Sequence, residues 1–334
     1  MGQSLSASRL ASSGATLAAL RPLVALVASL ALAVLLSRLL GYYGLYLLTL
    51  VEVFGVVATG LTLFMGYTGQ LSIGHAAFFG LGAYSAANLS KFGAPFPLAS
   101  LGGAVAAAAL GYGVGFVALR LRGFYLAVVT LAVGLIATQV FKNFDAFTGG
   151  VSGMGGIPRA AIGALQLDSP SRYFLATTVA LIAVVTLSWA IVKSPTGRVM
   201  RAIAANELAA QSVGVDTQGI KIHVFALSTF YAGLAGGLYA DLVHFITPDH
   251  FSFGLSVQLL TMAIIGGPRN VFGGLIGAAL IVLAGEELQS VPEWQPILYG
   301  LLLMGAAMYM PGGVAGLTAL VRGASVHWRK AAGR

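Results

Sequence analysis

The sequence predicts an all-α polytopic membrane protein with about eight to ten transmembrane helices, and three observations predict it. Of 334 residues, 58% are hydrophobic and 8% are charged, against about 25% charged in soluble domains. The apolar residues fall in long continuous runs without in-out alternation, which argues against a β-barrel. Forty-five glycines supply the small surfaces on which helices pack closely or break inside lipid.

Reading the apolar runs against charged punctuation places spans at 22–40, 44–65, 70–90, 97–119, 123–141, 173–192, 221–240, 254–267, 271–285 and 297–313. The 254–267 run is too short. Its 14 residues reach only about 21 Å as a helix, against a hydrocarbon core of about 30 Å. It leads into "IIGGPRNVFGGLIGAAL", so 254–285 reads either as two short spans or as a re-entrant pair. A second glycine-interrupted stretch, "GYTGQLSIGHAAFFGLGAY" at 66–84, lies in the opposite half. Broken segments in corresponding halves point to a transport path between inverted repeats, although the halves share no strong residue-level identity.

Loops then alternate between two sides. One side, with both tails, 120–122, 193–220, Lys221 and Arg269, holds 13 of the 18 Lys and Arg and two acids, Glu207 and Asp216. The other holds five basic residues and seven acids, among them Asp145, Asp168, Asp241 and Asp249. The positive-inside rule puts both termini and 193–220 in the cytoplasm. The expected organisation is a cytoplasmic tail at 1–21, a transmembrane domain at 22–313 and a basic cytoplasmic tail at 314–334. The first residues also match an N-myristoylation pattern but read as a plain tail.

The chain has no cysteine, which excludes disulfides and thiolate metal sites. Its five histidines form no HExxH or other ligand cluster, so no metal site is expected. No glycine-rich run is followed by the lysine of a P-loop. The charge of +8 sits in loops between spans, so nucleic acid is not an expected partner and membrane lipid is. The 142–172 loop, rich in glycine, is expected to be mobile and external.

Three sets of residues are candidates for function. Glu52 lies mid-span, where a carboxylate costs roughly 2.5–3.5 kcal/mol on insertion scales; it serves as an interhelical hydrogen-bonding group or couples a proton. Gly69, Gln70, Ser72 and His75 occupy a stretch where the helix is expected to unwind. With Glu52 they are expected to line a translocation path, or they satisfy neighbouring backbone at a helix start. The loop "KSPTGRVMRAIAANELAAQSVGVDTQGI" at 193–220 starts a helix at Ser194–Pro195, alternates Val199, Ile203, Leu208 and Val213 with polar positions, and ends at Gly214. Such an amphipathic arm suits a partner protein or the lipid headgroups equally.

The blocks "GYTGQLSIGHAAFFGLGAY", "GRVMRAIAANELAAQSVGVD" with "KIHVFALSTFYAGLAGGLYA", and "MAIIGGPRNVFGGLIGAALI" resemble, in this order, the permease subunits of branched-chain amino acid ABC importers, LivM type. The resemblance covers most of 45–285. It implies a type II ABC importer-like fold in a bacterial inner membrane. It also implies a second homologous permease, two ABC ATPase subunits and a periplasmic substrate-binding protein. The chain itself would be no enzyme and hold no cofactor, with ATP and Mg²⁺ on the partner ATPase. In such importers a cytoplasmic E-A-A-x-x-x-G loop enters a cleft of the ATPase. Here Ala209, Ala210 and Gly214 keep the A-A-x-x-x-G spacing while Glu207 is displaced by one residue; Arg198 and Arg201 join them as expected coupling residues. Relatives of this shape also carry urea, short amides and aromatic compounds, so the substrate stays open. A stand-alone ion-coupled transporter or channel is the alternative, and it would make Glu52 essential.

Overall fold

The computed structural model describes residues 26–121, 123–163, 165–288, 294–310 and 312–316. The expected tail at 1–21 and residues 317–334 of the other tail lie outside the described residues. The chain is helical almost throughout. Its helices are α1 (Leu26–Leu39), α2 (Tyr42–Leu61), α3 (His75–Lys91), α4 (Phe96–Ala118), α5 (Phe124–Asn143), α6 (Asp145–Thr148), α7 (Pro170–Lys193), α8 (Pro195–Ala205), α9 (Glu207–Ser212), α10 (Thr217–Val243), α11 (Phe253–Gly266), α12 (Gly273–Glu287) and α13 (Gln295–Tyr309). A single turn of π-helix, Thr62–Gly66, prolongs α2.

Each expected span meets a helix. Among the described residues, six stretches are long and apolar enough to cross a membrane: Tyr42–Gly66, Phe96–Ala118, Phe124–Asn143, Pro170–Lys193, Thr217–Val243 and Ile297–Gly316. The helices α1, α3, α11 and α12 are shorter. Two boundaries differ from expectation. The helix α3 begins at His75, not at 70, because Gly69 leaves the preceding helix with φ +71°. The helix α10 runs to Val243, so Asp241 is not a loop residue: it sits buried in the last turn of α10.

Local chemistry sets the ends. Pro170 opens α7 behind Ser169, whose side chain accepts from the Arg172 amide, a standard N-terminal pairing of cap and proline. Asp216 caps α10 by accepting from the Gly219 amide at 2.9 Å. His244 stops it in the left-handed region at φ 57°.

The helix α10 is the axis of the bundle, and α3 and α4 touch it backbone to backbone. A side-chain carbon at Gly82 would lie 2.2 Å from the Gly233 carbonyl oxygen, and one at Gly236 would lie 2.0 Å from that of Phe79. Only glycine permits that spacing.

Beyond His244 the chain turns back through a short 3-10 turn, Pro248–Phe251. There Phe251 is buried against Phe79, Tyr84 and Phe141. Non-helical chain thus covers part of the crossing, which is why α11 needs only 14 residues. The turn after α11 meets the far end of α2: Tyr67 donates to the Arg269 carbonyl at 3.0 Å, and Gly66 lies directly against the Pro268 carbonyl. The pair α11–α12 therefore forms two short legs that reach the α8–α9 end of the molecule.

The 142–172 loop, expected to be mobile, is folded. It contains α6, a 3-10 turn at Gly150–Ser152 and an antiparallel hairpin of β1 (Ala161–Ile162) and β2 (Leu165–Gln166). Met154 bridges Ile246, and the buried Thr148 donates to the Phe141 carbonyl at 2.6 Å. Enough backbone bonds are made internally to hold it in place.

The backbone contact predicts that Gly233→Val, which forces α10 off α4, costs about 1–3 kcal/mol or more. Thermal unfolding of the detergent-solubilised chain should show a lowered midpoint, while Gly113→Ala, which faces open space inside a helix, should keep or raise it.

Candidate functional site

The broken segment between α2 and α3 is built from hydroxyls. Unwinding residues 69–74 frees backbone donors that have no water to turn to inside a bundle. Thr130 of α5 accepts from the Ile73 amide at 3.1 Å, and Ser256 of α11 accepts from the Ala76 amide at 3.2 Å. His75, 1% exposed, is hydrogen-bonded through Nδ1 to Ser72 Oγ at 2.9 Å and through Nε2 to Ser228 Oγ on α10 at 2.8 Å. Its ring lies edge-on to Phe78 and Phe225. Both imidazole nitrogens are engaged, and His75 clasps the start of α3 to α10.

Gly69 approaches the Ala204 backbone of α8 to 3.3 Å from where its Cβ would stand, so the broken segment rests on the loop region. Gln70 is buried; its Nε2 lies 3.4 Å from the Thr68 carbonyl, and Oε1 has no hydrogen-bond partner. Gly69, Gln70, Ser72 and His75 thus come together in one place, near the α8 end. Gln70, Ser72 and His75 are buried among protein groups, Gly69 is exposed, and none of the four lines the cavities of about 580 Å³ and 280 Å³ described below.

Glu52 stands apart from them. It is buried on α2 and accepts from Thr177 at 2.5 Å and from Thr178 at 2.6 Å, both on α7. A cavity of about 580 Å³ opens beside it between α1, α2 and α7, walled by Leu32, Leu36, Leu181 and Trp189 among others. The sequence contained the partners as "TT" inside an apolar run, but threonines are common enough in spans that nothing marked them as facing Glu52.

The arm at 193–216 is two helices with three caps. Ser194 accepts from the Gly197 amide, Asn206 accepts from the Ala209 amide at 3.0 Å, and Gly214 turns out of α9 at φ +85°. Met200, Ile203 and Ala210 are buried against the bundle. Arg201 donates back to the Val192 carbonyl at 3.0 Å. Arg198 and Ala209 point outward. Leu208 and Val213 are 63% and 78% exposed, so the expected apolar alternation is shared between two surfaces, one packed inward and one bare.

Glu207 has a role that the sequence left open. Its Oε1 pairs with Lys221 Nζ at 2.8 Å, and the Lys221 side chain is only 2% exposed. A buried ion pair of this kind is strongly destabilising to break, and this one ties α9 to the first turns of α10.

The sequence model for the branched-chain amino acid transport system permease component matches residues 43–307. The chain belongs to this family. The LivM permease protein of the high-affinity branched-chain amino acid transport system of Escherichia coli K12 is 30% identical over 88% of this chain and 75% of its own length. Its counterpart in Salmonella typhimurium is 30% identical over 81% of this chain and 69% of its own. The autoinducer 2 import system permease LsrC of Photorhabdus laumondii is 27% identical over 39% of this chain and 41% of its own. No solved structure matches.

In the permease, then, the polar stretch of 69–75 has definite partners. Replacing His75 by Ala strands Ser72 and Ser228 and should cost about 1–3 kcal/mol. His75→Gln, which keeps one polar contact, should lose less. Unfolding midpoints of the two variants in the same detergent check the order.

Proposed function

We propose that this permease is the membrane subunit of an ATP-driven importer for branched-chain or related amino acids in a bacterial inner membrane. It works with a second homologous permease, two ABC ATPase subunits and a periplasmic binding protein that delivers the substrate. Both termini and the arm face the cytoplasm, as the 13 basic residues on that side favour. ATP and Mg²⁺ belong to the ATPase, and this chain holds neither.

One observation carries the coupling role: α9 presents a bare apolar pair, Leu208 and Val213, on a scaffold pinned to the bundle axis by Glu207 and Lys221. Exposed apolar side chains on a rigid, capped arm suit insertion into a cleft of another protein. Arg198, exposed on the same arm, adds charge to the contact. A force applied at α9 reaches α10 through the ion pair and the broken segment through Ala204 against Gly69.

In this reading Gly69, Gln70, Ser72 and His75 frame the translocation path by holding α3 in place, and they do not read the ligand. Glu52 is an interhelical bond whose cavity faces the membrane side of α1 and α7. The names of the LivM relatives support branched-chain amino acids as substrate.

Purification of the tagged chain from its native membrane in mild detergent should bring an ATPase and a second permease with it. Leu208→Asp with Val213→Asp should release the ATPase without lowering the unfolding midpoint. Lys221→Met should lower the midpoint by an amount equivalent to about 3–5 kcal/mol. A chain that purifies alone in several mild detergents, and that transports in liposomes without ATP, overturns the importer reading.

A further inference from the structure

A second cavity lies at the opposite end of the bundle from the arm, between the start of α2, the start of α7 and the end of α10. Its volume is about 280 Å³, near the lower bound of ligand pockets, ~300 Å³. That is room for a small amino acid. Its walls combine tyrosine rings (Tyr42, Tyr46, Tyr173) and the apolar Leu167 and Leu242 with the charged or titratable Asp241, Asp168, Arg159 and His244 and the hydroxyls of Thr49 and Ser169.

Asp241 is the group that needs explaining. It is 4% exposed, and its Oδ2 has no hydrogen-bond partner. The Tyr173 phenol does not supply one, because it gives its hydroxyl proton to the Leu238 carbonyl at 2.5 Å. A buried carboxylate oxygen without a donor is costly and calls for a partner. Arg159 does not fill that role: its Nη1 lies 3.8 Å from Asp168, another wall residue, and its side chain is 74% exposed. Burial and the Arg159 charge both hold the His244 imidazole below its usual value, so near neutral pH that ring is uncharged. With Arg159 set against Asp168 and His244 uncharged, no cation on the cavity wall is paired with the buried Asp241 carboxyl.

We infer that this cavity is a binding site for an amino acid zwitterion, with its ammonium group on Asp241, its apolar side chain against the tyrosine and leucine wall, and its carboxylate drawing Arg159 away from Asp168. An ammonium group supplies the donors that Oδ2 lacks, and aromatic faces favour a cation beside them. The site deepens the proposed function, and it rests on that reading only for the direction of delivery; its ligand class follows from its walls. A site at this end would receive substrate before the bundle passes it on.

The test uses the full chain in lipid nanodiscs, with any subunits that co-purify, and reads the unfolding midpoint and equilibrium binding. The probes are leucine, isoamylamine, which lacks the carboxylate, and isocaproate, which lacks the ammonium group. Leucine should bind and raise the midpoint, isoamylamine should bind more weakly, and isocaproate should do neither. Asp241→Asn should weaken leucine about tenfold or more, and Arg159→Gln should weaken leucine but not isoamylamine. If Asp241→Asn fails to fold, the three probes on the unaltered chain still decide. Isocaproate binding as well as leucine, leucine binding that survives Asp241→Asn, or equal protection by sodium chloride alone would each overturn the site. Failure of ATP-driven uptake in the reconstituted assembly, with Asp241-dependent leucine binding intact, would instead remove the importer reading and leave the site standing.

Discussion

Backbone polar groups inside this bundle have no water to fall back on, and that constraint explains most of its irregular features. At two breaks a hydroxyl from another segment takes up the freed backbone group, and elsewhere, as at Met154 and Ile246, the backbone pairs with itself. Between α2 and α3 the His75 ring joins the Ser72 and Ser228 hydroxyls, while the Thr130 and Ser256 hydroxyls accept from the Ile73 and Ala76 amides. Thr148 does the same where α6 meets α5. Each substitute comes from a different helix, so each break also joins helices. The broken segment is among the most heavily cross-linked parts of the fold.

Glycine performs the complementary task. Where α3, α4 and α10 cross, no side chains intervene, and the Gly82, Gly103, Gly233 and Gly236 backbones meet directly. Dispersion contacts of that density are the main source of helix association once water is absent. They place Ser228 close enough to reach His75, and hence the clasp depends on the glycines. The arm is held by different means, caps and one buried ion pair, as suits a piece that lies at the water's edge.

Much of this was legible in the sequence. Continuous apolar runs gave all the major helices, and the short run at 254–267 already signalled that part of that crossing is not helical. The "GYTGQLSIGH" break was visible from its glycines, and Ser194 and Gly214 marked the limits of the arm. What was hidden was pairing at a distance. Nothing local says that "TT" at 177–178 faces Glu52, or that Glu207 reaches Lys221 across two turns of chain. Asp241 was misplaced because an acid beside "HFITPDH" looks like loop; only the three further residues of α10 put it inside. The glycines of 142–172 suggested freedom, yet several of them serve positive-φ turns such as Gly149 and Gly153, which fold the segment down.

The backbone contacts between α3, α4 and α10 also limit how this molecule can move. Layers of side chains can shear by changing rotamers, but touching backbones offer no such compliance, because there is nothing between them to rearrange. A displacement of α9 therefore cannot be absorbed by sliding α10 past its neighbours. The three helices must turn together as one stiff block, and any opening has to appear at the block's edges, where α2, α5, α11 and the folded 142–172 segment meet it.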